Sequence, residues 1–382
     1  MSSEQSKVSR RSFLKGAAAG TAAIASASAL AGCGGSAGGS SIPDKWDKEA
    51  DFVVVGSGCG LTGALAAAVA DASVIVLEKS AVPGGSTAIS GGWAWIPNNS
   101  VEKAAGIDDS RDKAMEYMRL IAGGQGSEEL ITAFVDNGPE MVDFVADNSP
   151  LTWDVATGLW PAEPPCTEYH PEWPGGNTIG RSLWPLTEDG TPGGGGTLIQ
   201  HLLDGCIAAD VEVLYETPVT KLISRLTEDD IHEVLGVYAQ SGEETIAVKA
   251  KKGVLLSAGG FDWDWEMKAN YLRGPTIYAT GVRTLEGDGI KMAQAIGADL
   301  RNMNEAWGMP VYKEEAAQKN SADMPCGLSV LLEKTRPGSI MVNKYGERFC
   351  NEASDYDSMW RSFFTWENWG ANGYRNIPAW LI

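Results

Sequence analysis

Asp51-Phe52-Val53-Val54-Val55-Gly56-Ser57-Gly58-Cys59-Gly60-Leu61 is the stretch on which the fold turns. Asp51 to Val55 is a short, largely β-branched apolar run, the composition of a strand buried on both faces of a parallel sheet. It passes straight into a glycine turn and then into the alanine-rich segment Leu61 to Ala70, which reads as a helix. A second apolar run, Val74-Ile75-Val76-Leu77, ends on Glu78. Strand, glycine turn, helix, strand and terminal acid make the βαβ unit that binds a dinucleotide. Glycines let the backbone approach a pyrophosphate, whose charge sits against the helix N-terminus. An acid at the place of Glu78 can accept hydrogen bonds from a ribose. The spacing is Gly-x-Gly-x-Gly-Leu rather than Gly-x-Gly-x-x-Gly, which leaves Gly60 or Gly63 to stand in for the third glycine.

The chain around this unit has 382 residues, 43% of them hydrophobic, enough for a large core. Its 50 acidic residues against 30 basic ones give a formal net charge of −20, which repels phosphate backbones and argues against a nucleic-acid partner. Beyond residue 32 no apolar run approaches the roughly 20 residues that span a bilayer. Cys166, Cys206, Cys326 and Cys350 are widely spaced, no Cys-x-x-Cys-His occurs, and only His170, His201 and His232 are available. Neither a metal site nor a c-type haem is expected, and the histidines read as surface or structural residues.

The N-terminus is an address. Ser9-Arg10-Arg11-Ser12-Phe13-Leu14-Lys15, followed by an Ala/Gly-rich run, is a bacterial twin-arginine export signal. That route carries folded proteins, which suits a chain that captures a cofactor before export. Leu30-Ala31-Gly32-Cys33 resembles a lipoprotein cleavage box, with Cys33 as the lipidated first residue of the mature chain. Ordinary cleavage after a small residue is the alternative. The expected organisation is a signal over 1–32 and a flexible tether over 33–48, rich in Gly and Ser from Gly34 to Ser41. The product is then held at the membrane by a lipid anchor only, or is free outside the cytoplasm.

Which dinucleotide binds follows from the residues after Glu78. Pro83-Gly84-Gly85-Ser86-Thr87-Ala88-Ile89-Ser90-Gly91-Gly92-Trp93 is a double-glycine, hydroxyl-rich loop where a nicotinamide domain would have ordinary helix. It resembles the flavin-contacting loop of the fumarate reductase/3-ketosteroid dehydrogenase superfamily of FAD proteins. Lys252-Gly253-Val254-Leu255-Leu256-Ser257-Ala258-Gly259-Gly260-Phe261 is similar to that superfamily's second nucleotide contact. Glu216-Thr217-Pro218-Val219 matches the place where its backbone meets adenine, and Gly287-Asp288-Gly289 opens a further helix. The resemblance implies FAD as cofactor, held first by Gly56, Ser57, Gly58, Cys59, Gly60, Glu78 and Lys79. It adds Gly84, Gly85, Ser86, Thr87, Ser90, Gly91 and Gly92, then Val219, Ala258, Gly259, Gly260, Gly287 and Asp288. The implied fold is α/β: a Rossmann-like FAD-binding domain over 49–305 and the start of an inserted α+β substrate (cap) domain over 306–382, incomplete at its end.

Fumarate and succinate enzymes of the superfamily carry a His-Pro-Thr segment after the Gly-Asp-Gly helix, and an arginine proton donor four residues past the glutamate of Arg-Phe-x-Asn-Glu. Here Glu305-Ala306-Trp307-Gly308-Met309-Pro310 replaces the first, and Arg348-Phe349-Cys350-Asn351-Glu352 is followed at that distance by Tyr356. These departures resemble 3-ketosteroid dehydrogenases, as do Ser90 to Pro97, Glu168-Tyr169-His170-Pro171, Gly180-Arg181-Ser182-Leu183 and Arg336-Pro337-Gly338-Ser339-Ile340. The implied reaction is 1,2-dehydrogenation beside a 3-keto group. A tyrosine base, at Tyr356, takes the α-proton, and the β-hydrogen leaves as hydride to the flavin. Tyr169 matches the second active-site tyrosine. Both could equally be half-buried tyrosines capping polar backbone.

Trp93, Trp95, Trp307 and Trp360 could form flat apolar walls, or ordinary core. The partners implied are a flat, steroid-like ketone and an external electron acceptor or donor, either a quinone or a redox protein. A reductase of enone or acrylate-like acceptors and a non-enzymatic flavin-binding electron carrier are the two alternatives. Relatives continue past Asn376-Ile377-Pro378-Ala379-Trp380-Leu381-Ile382 into a glycine-rich flavin contact, so a C-terminally truncated chain that holds FAD poorly is expected.

Overall fold

Strand β1 spans Lys48–Val55, helix α1 Gly60–Val69 and strand β2 Val74–Leu77, the predicted strand–turn–helix–strand unit. The computed structural model describes residues 42–158, 165–327, 329–368 and 373–382, so the twin-arginine stretch and Cys33 lie outside the described residues. Asp47, at the end of the expected tether, already donates its N–H to Ala247 O at 2.9 Å.

Helix α2 (Gly195–Ala208) leads into β3 (Glu212–Leu214). A meander of β4 (Val219–Leu226), β5 (His232–Ser241) and β6 (Glu244–Leu256) follows. Together they form a six-stranded sheet of order β3-β2-β1-β6-β5-β4. The pairs β3–β2, β2–β1 and β1–β6 are parallel, whereas β5 and β4 run antiparallel. Side chains alternate across a strand. Val54 and Val76 therefore pack with Leu61, Leu65, Ile199 and Leu202 of α1 and α2 on one face. Val53, Val55, Ile75 and Leu77 pack on the other with Leu222, Val237, Val248 and Met292. Cover on both faces is why the central strands read as unbroken apolar runs.

Both stand-ins for the third glycine serve close packing. A Cβ on Gly60 would lie 2.2 Å from Ser257 Oγ and 2.9 Å from Val54 Cγ1, and one on Gly63 would lie 2.6 Å from Leu255 Cδ2. The shortened loop therefore still seats α1 tightly on β1 and β6.

Between β2 and α2 the chain builds a three-stranded antiparallel sheet of Ala94–Trp95, Ser182–Pro185 and Trp153–Val155. The helices Arg111–Ala122 and Glu128–Asn148 accompany it. Beyond residue 305 come short helices and two-stranded pairings. Among them is helix α3 (Tyr356–Ser362), capped by Asp355, whose Oδ1 accepts from Ser358 N at 2.7 Å.

Candidate active site

The glycine loops gather at the C-terminal ends of β1, β2 and β6, where open α/β sheets bind ligands. Gly56 has φ +100°, and a Cβ there would lie 2.5 Å from Ser257 O, so the tips of β1 and β6 touch backbone to backbone. Cys59 is the N-cap of α1 in helical conformation and supplies no side-chain cap. The N–H groups of Leu61 and Thr62 in its first turn fold back onto Gly58 O and Cys59 O, each at 3.2 Å. Glu78 is 6% exposed; its Oε2 accepts from Ser57 N (3.0 Å) and Oγ (2.5 Å), and its Oε1 from Ser80 N (2.7 Å). One Oε1 lone pair remains beside the loop. Thr217 N donates to Glu78 O at 2.8 Å, which brings the expected adenine turn against this acid.

Gly84 N donates to Ser57 Oγ at 3.0 Å, tying the second glycine loop to the first. Gly84 and Gly85 both have positive φ, and a Cβ on Gly85 would meet only open space. Ser86 Oγ accepts from Val282 N at 3.1 Å, Ser90 Oγ donates to Thr87 O at 2.8 Å, and Gly92 N donates to Ser90 Oγ at 3.0 Å. Gly91 is exposed beside the Trp93 ring. Gly260 O accepts from Gly287 N at 3.0 Å, which joins Ala258-Gly259-Gly260 to the start of the helix Asp288–Gln294. Lys79 Nζ reaches Glu286 Oε2 at 2.6 Å and Asp288 Oδ2 at 3.0 Å. Burial works against its charge, but the two acids outweigh it and hold its pKa above the ordinary value. Val219 points its side chain into the core at 7% exposure, so any ligand contact is left to its backbone. A glycine turn at the start of α1, a carboxylate with a spare acceptor and a glycine edge facing open space fit the pyrophosphate, ribose and flavin of FAD.

The structure brings Tyr169 and Tyr356 together from distant segments. Their ring centroids lie 5.7 Å apart at 81°, and the interaction between the two hydroxyls raises the Tyr169 pKa and lowers that of Tyr356. Burial raises the Tyr356 phenol above its usual pKa, the Tyr169 hydrogen bond lowers it, and Asp357 and Asp355 raise it again; the net direction is up. Trp307, 76% exposed, stands 6.3 Å from Tyr356 and makes an open aromatic wall. The other tryptophans do not join it. Trp360 is buried against Phe364, Trp93 packs edge-on to Trp184, and Trp95 stacks between Tyr117 and Phe134.

Two supports were given no role in the sequence reading. Arg181, 1% exposed, holds Asp109 through two bonds of 2.8 and 2.9 Å and Gly175 O at 2.6 Å, and lies 3.5 Å from Glu168 Oε2, next to Tyr169. Lys334, 2% exposed, donates to Glu352 O at 2.9 Å and Ser354 O at 2.6 Å, fixing the turn ahead of Tyr356. A buried arginine or lysine whose carboxylate or carbonyl partners lie far along the chain leaves no local spacing to read.

A family model described as FAD binding domain matches residues 51–377, and one described as TAT (twin-arginine translocation) pathway signal sequence matches residues 7–27. The chain is 32% identical over 379 residues to 4-oxocyclohexanecarboxylate 2-dehydrogenase of Sinomonas cyclohexanicum, covering 87% of this chain and 64% of that one. It is 33% identical over 404 residues to 3-oxosteroid 1-dehydrogenase of Mycolicibacterium smegmatis, covering 88% and 67%. Among solved structures, 3-ketosteroid Δ1-dehydrogenase from Sterolibacterium denitrificans in complex with 1,4-androstadiene-3,17-dione matches with a TM-score of 0.74 at 28% identity, over 87% of this chain and 68% of that one. The chain spans about two thirds of the length of these relatives. With its nucleotide cradle, its matched span and its signal sequence, the chain belongs to the FAD binding domain family, within the fold shared by 3-ketosteroid dehydrogenases and fumarate reductases, and carries a twin-arginine export signal.

Proposed function

We propose that this chain catalyses FAD-dependent α,β-dehydrogenation of a neutral cyclic ketone, most concretely 1,2-dehydrogenation of a 3-ketosteroid. The observation that carries the reading is the Tyr169–Tyr356 hydroxyl pair beside the open face of Trp307. Bound FAD supplies the two-electron hydride acceptor. Tyr356 takes the proton from the carbon α to the carbonyl, and the bond from the β-carbon to hydrogen breaks heterolytically as the new double bond forms. Tyr169, as hydrogen-bond donor, stabilises the Tyr356 oxygen while it carries negative charge. FAD is held by the glycine, hydroxyl and acidic residues of the two loops, with Glu78 at the ribose, and the substrate domain begins near residue 306.

Charge around the pair separates a neutral ketone from a keto acid. Asp355, Asp357 and Glu305 stand close by, and Arg273 and Arg361 are already engaged by Glu305 and Asp357. A carboxylate substrate would meet repulsion and no free cation of this group. A fumarate-type reductase needs such a cation. The test is flavin reduction by 4-androstene-3,17-dione against 4-oxocyclohexanecarboxylate, under anaerobic conditions and at equal concentration. Faster bleaching by the steroid supports the reading; faster bleaching by the keto acid refutes the neutral-substrate assignment. Electrons then pass to a quinone or redox protein. Cys33 is the proposed lipid attachment site, and labelled palmitate failing to enter the wild-type chain would remove that anchor.

A further inference from the structure

The two tyrosines are each followed or preceded by a residue that meets its counterpart. Tyr169 contacts Tyr356, and the next residue, His170, places Nε2 3.2 Å from Oδ2 of Asp355, the residue before Tyr356. The Asp355 side chain is 6% exposed and that of His170 20%. Asp355 Oδ2 makes no hydrogen bond among the described residues, so His170 meets it by close approach alone, while Oδ1 caps α3 through Ser358 N at 2.7 Å. His170 is held at three points, two on its ring and one on its backbone. It stacks on Trp173 at 3.9 Å and 6°, its Nδ1 lies 3.4 Å from Glu172 Oε1, and its backbone N–H donates to the Tyr117 hydroxyl at 3.3 Å.

One carboxylate therefore does two things. It starts the helix that has Tyr356 as its first residue, and it takes hold of the loop that carries Tyr169. We infer that the His170–Asp355 contact is a clasp that sets the Tyr169–Tyr356 hydrogen bond, making His170 and Asp355 positioning residues for proton abstraction. The inference rests on Tyr356 being the base. Neither residue need touch the substrate. Loosening the clasp lets the Tyr169 hydroxyl drift from the Tyr356 oxygen, and a misplacement of this kind falls on the chemical step rather than on binding.

The test uses the FAD-loaded full-length protein, with 4-androstene-3,17-dione as the reductant and the limiting rate of flavin reduction as the readout. His170→Ala is expected to lower that rate about tenfold, with the steroid dissociation constant within about threefold and the FAD content unchanged. His170→Gln keeps an N–H to offer Asp355 and should recover most of the loss. In a Tyr169→Phe background the same His170→Ala change should cost less than about twofold, because its route of action is already gone. An unchanged rate in His170→Ala overturns the clasp, and so does an equal loss in both backgrounds. Asp355→Asn keeps a residue that caps helices well and should lose rate as His170→Ala does; it carries the test if His170→Ala does not fold, and full activity in it likewise overturns the clasp. Tyr356→Phe in parallel separates the two levels. Full activity there defeats the base assignment itself, whereas a loss there with intact His170 and Asp355 variants defeats only the clasp.

Discussion

In the proposed reaction Tyr356 is a phenol acting as a base, and its surroundings pull in opposite directions. Burial and the acids Asp355 and Asp357 raise its pKa, the donor Tyr169 lowers it, and the result lies above the ordinary phenol value. The ionised form is then scarce at neutral pH, so the rate of flavin reduction should climb about tenfold per pH unit between pH 6 and 9. Tyr169→Phe takes away the interaction that lowers the pKa. Its rising limb should move to higher pH, leaving it slower than wild type at neutral pH without abolishing turnover. Tyr356→Phe should cost about 10²- to 10⁴-fold in that rate while steroid binding persists. Stopped-flow reduction across the pH range checks both. Of this proposed chemistry the sequence singled out the two tyrosines, through motifs that surround them. It could not disclose His170 against Asp355, because a contact between separate segments has no spacing of its own.

At the scale of elements, the glycine turn and the buried charges can be tested separately. Gly56→Ala places a Cβ 2.5 Å from the Ser257 carbonyl at φ +100°. The expected loss is about 2–4 kcal/mol of stability, with weaker FAD retention, read by chemical denaturation and flavin content. Glu102 lies in the helix Ser100–Ala104, fully buried, its Oε1 accepting from Asn99 N and its Oε2 unpartnered. Burial, and then the Asp109 charge, push its pKa up to about 7. The folded chain thus keeps a proton that the unfolded chain gives up near its ordinary value. Stability is highest below that value and falls as pH rises toward 7, by on the order of 2–3 kcal/mol. Glu102→Gln keeps the bond from Asn99 and removes the titration, so it should melt higher than wild type at pH 8 and nearly equal at pH 5. The β1–α1–β2 unit was legible because strand, turn and helix are all local. The small sheet around Ser182–Pro185 and the Arg181 cluster were not, since they depend on segments that meet only in the folded chain.

For the molecule as a whole, the proposed cradle implies a choice between flavins. With Glu78, Thr217 and the turn before β4 assigned to the adenosine, FMN has nothing to offer them. At a free concentration of about 100 times its dissociation constant, FAD should stabilise the protein by about 2.7 kcal/mol, while FMN leaves the melting temperature unchanged. Differential scanning fluorimetry compares the two directly. The net charge of −20 and the twin-arginine signal describe a folded, acidic flavoprotein addressed for export. The sheet order, with β6 returning beside β1, was not written in any single segment, although the glycine pair at its end was.

The most direct test of the central claim is an anaerobic titration of the FAD-loaded protein with 4-androstene-3,17-dione, following the oxidised flavin band and the steroid product together. Stoichiometric bleaching with formation of 1,4-androstadiene-3,17-dione is the predicted result. A flavin that stays oxidised with the steroid, yet is rapidly reoxidised by fumarate or an enone once reduced chemically, would contradict it.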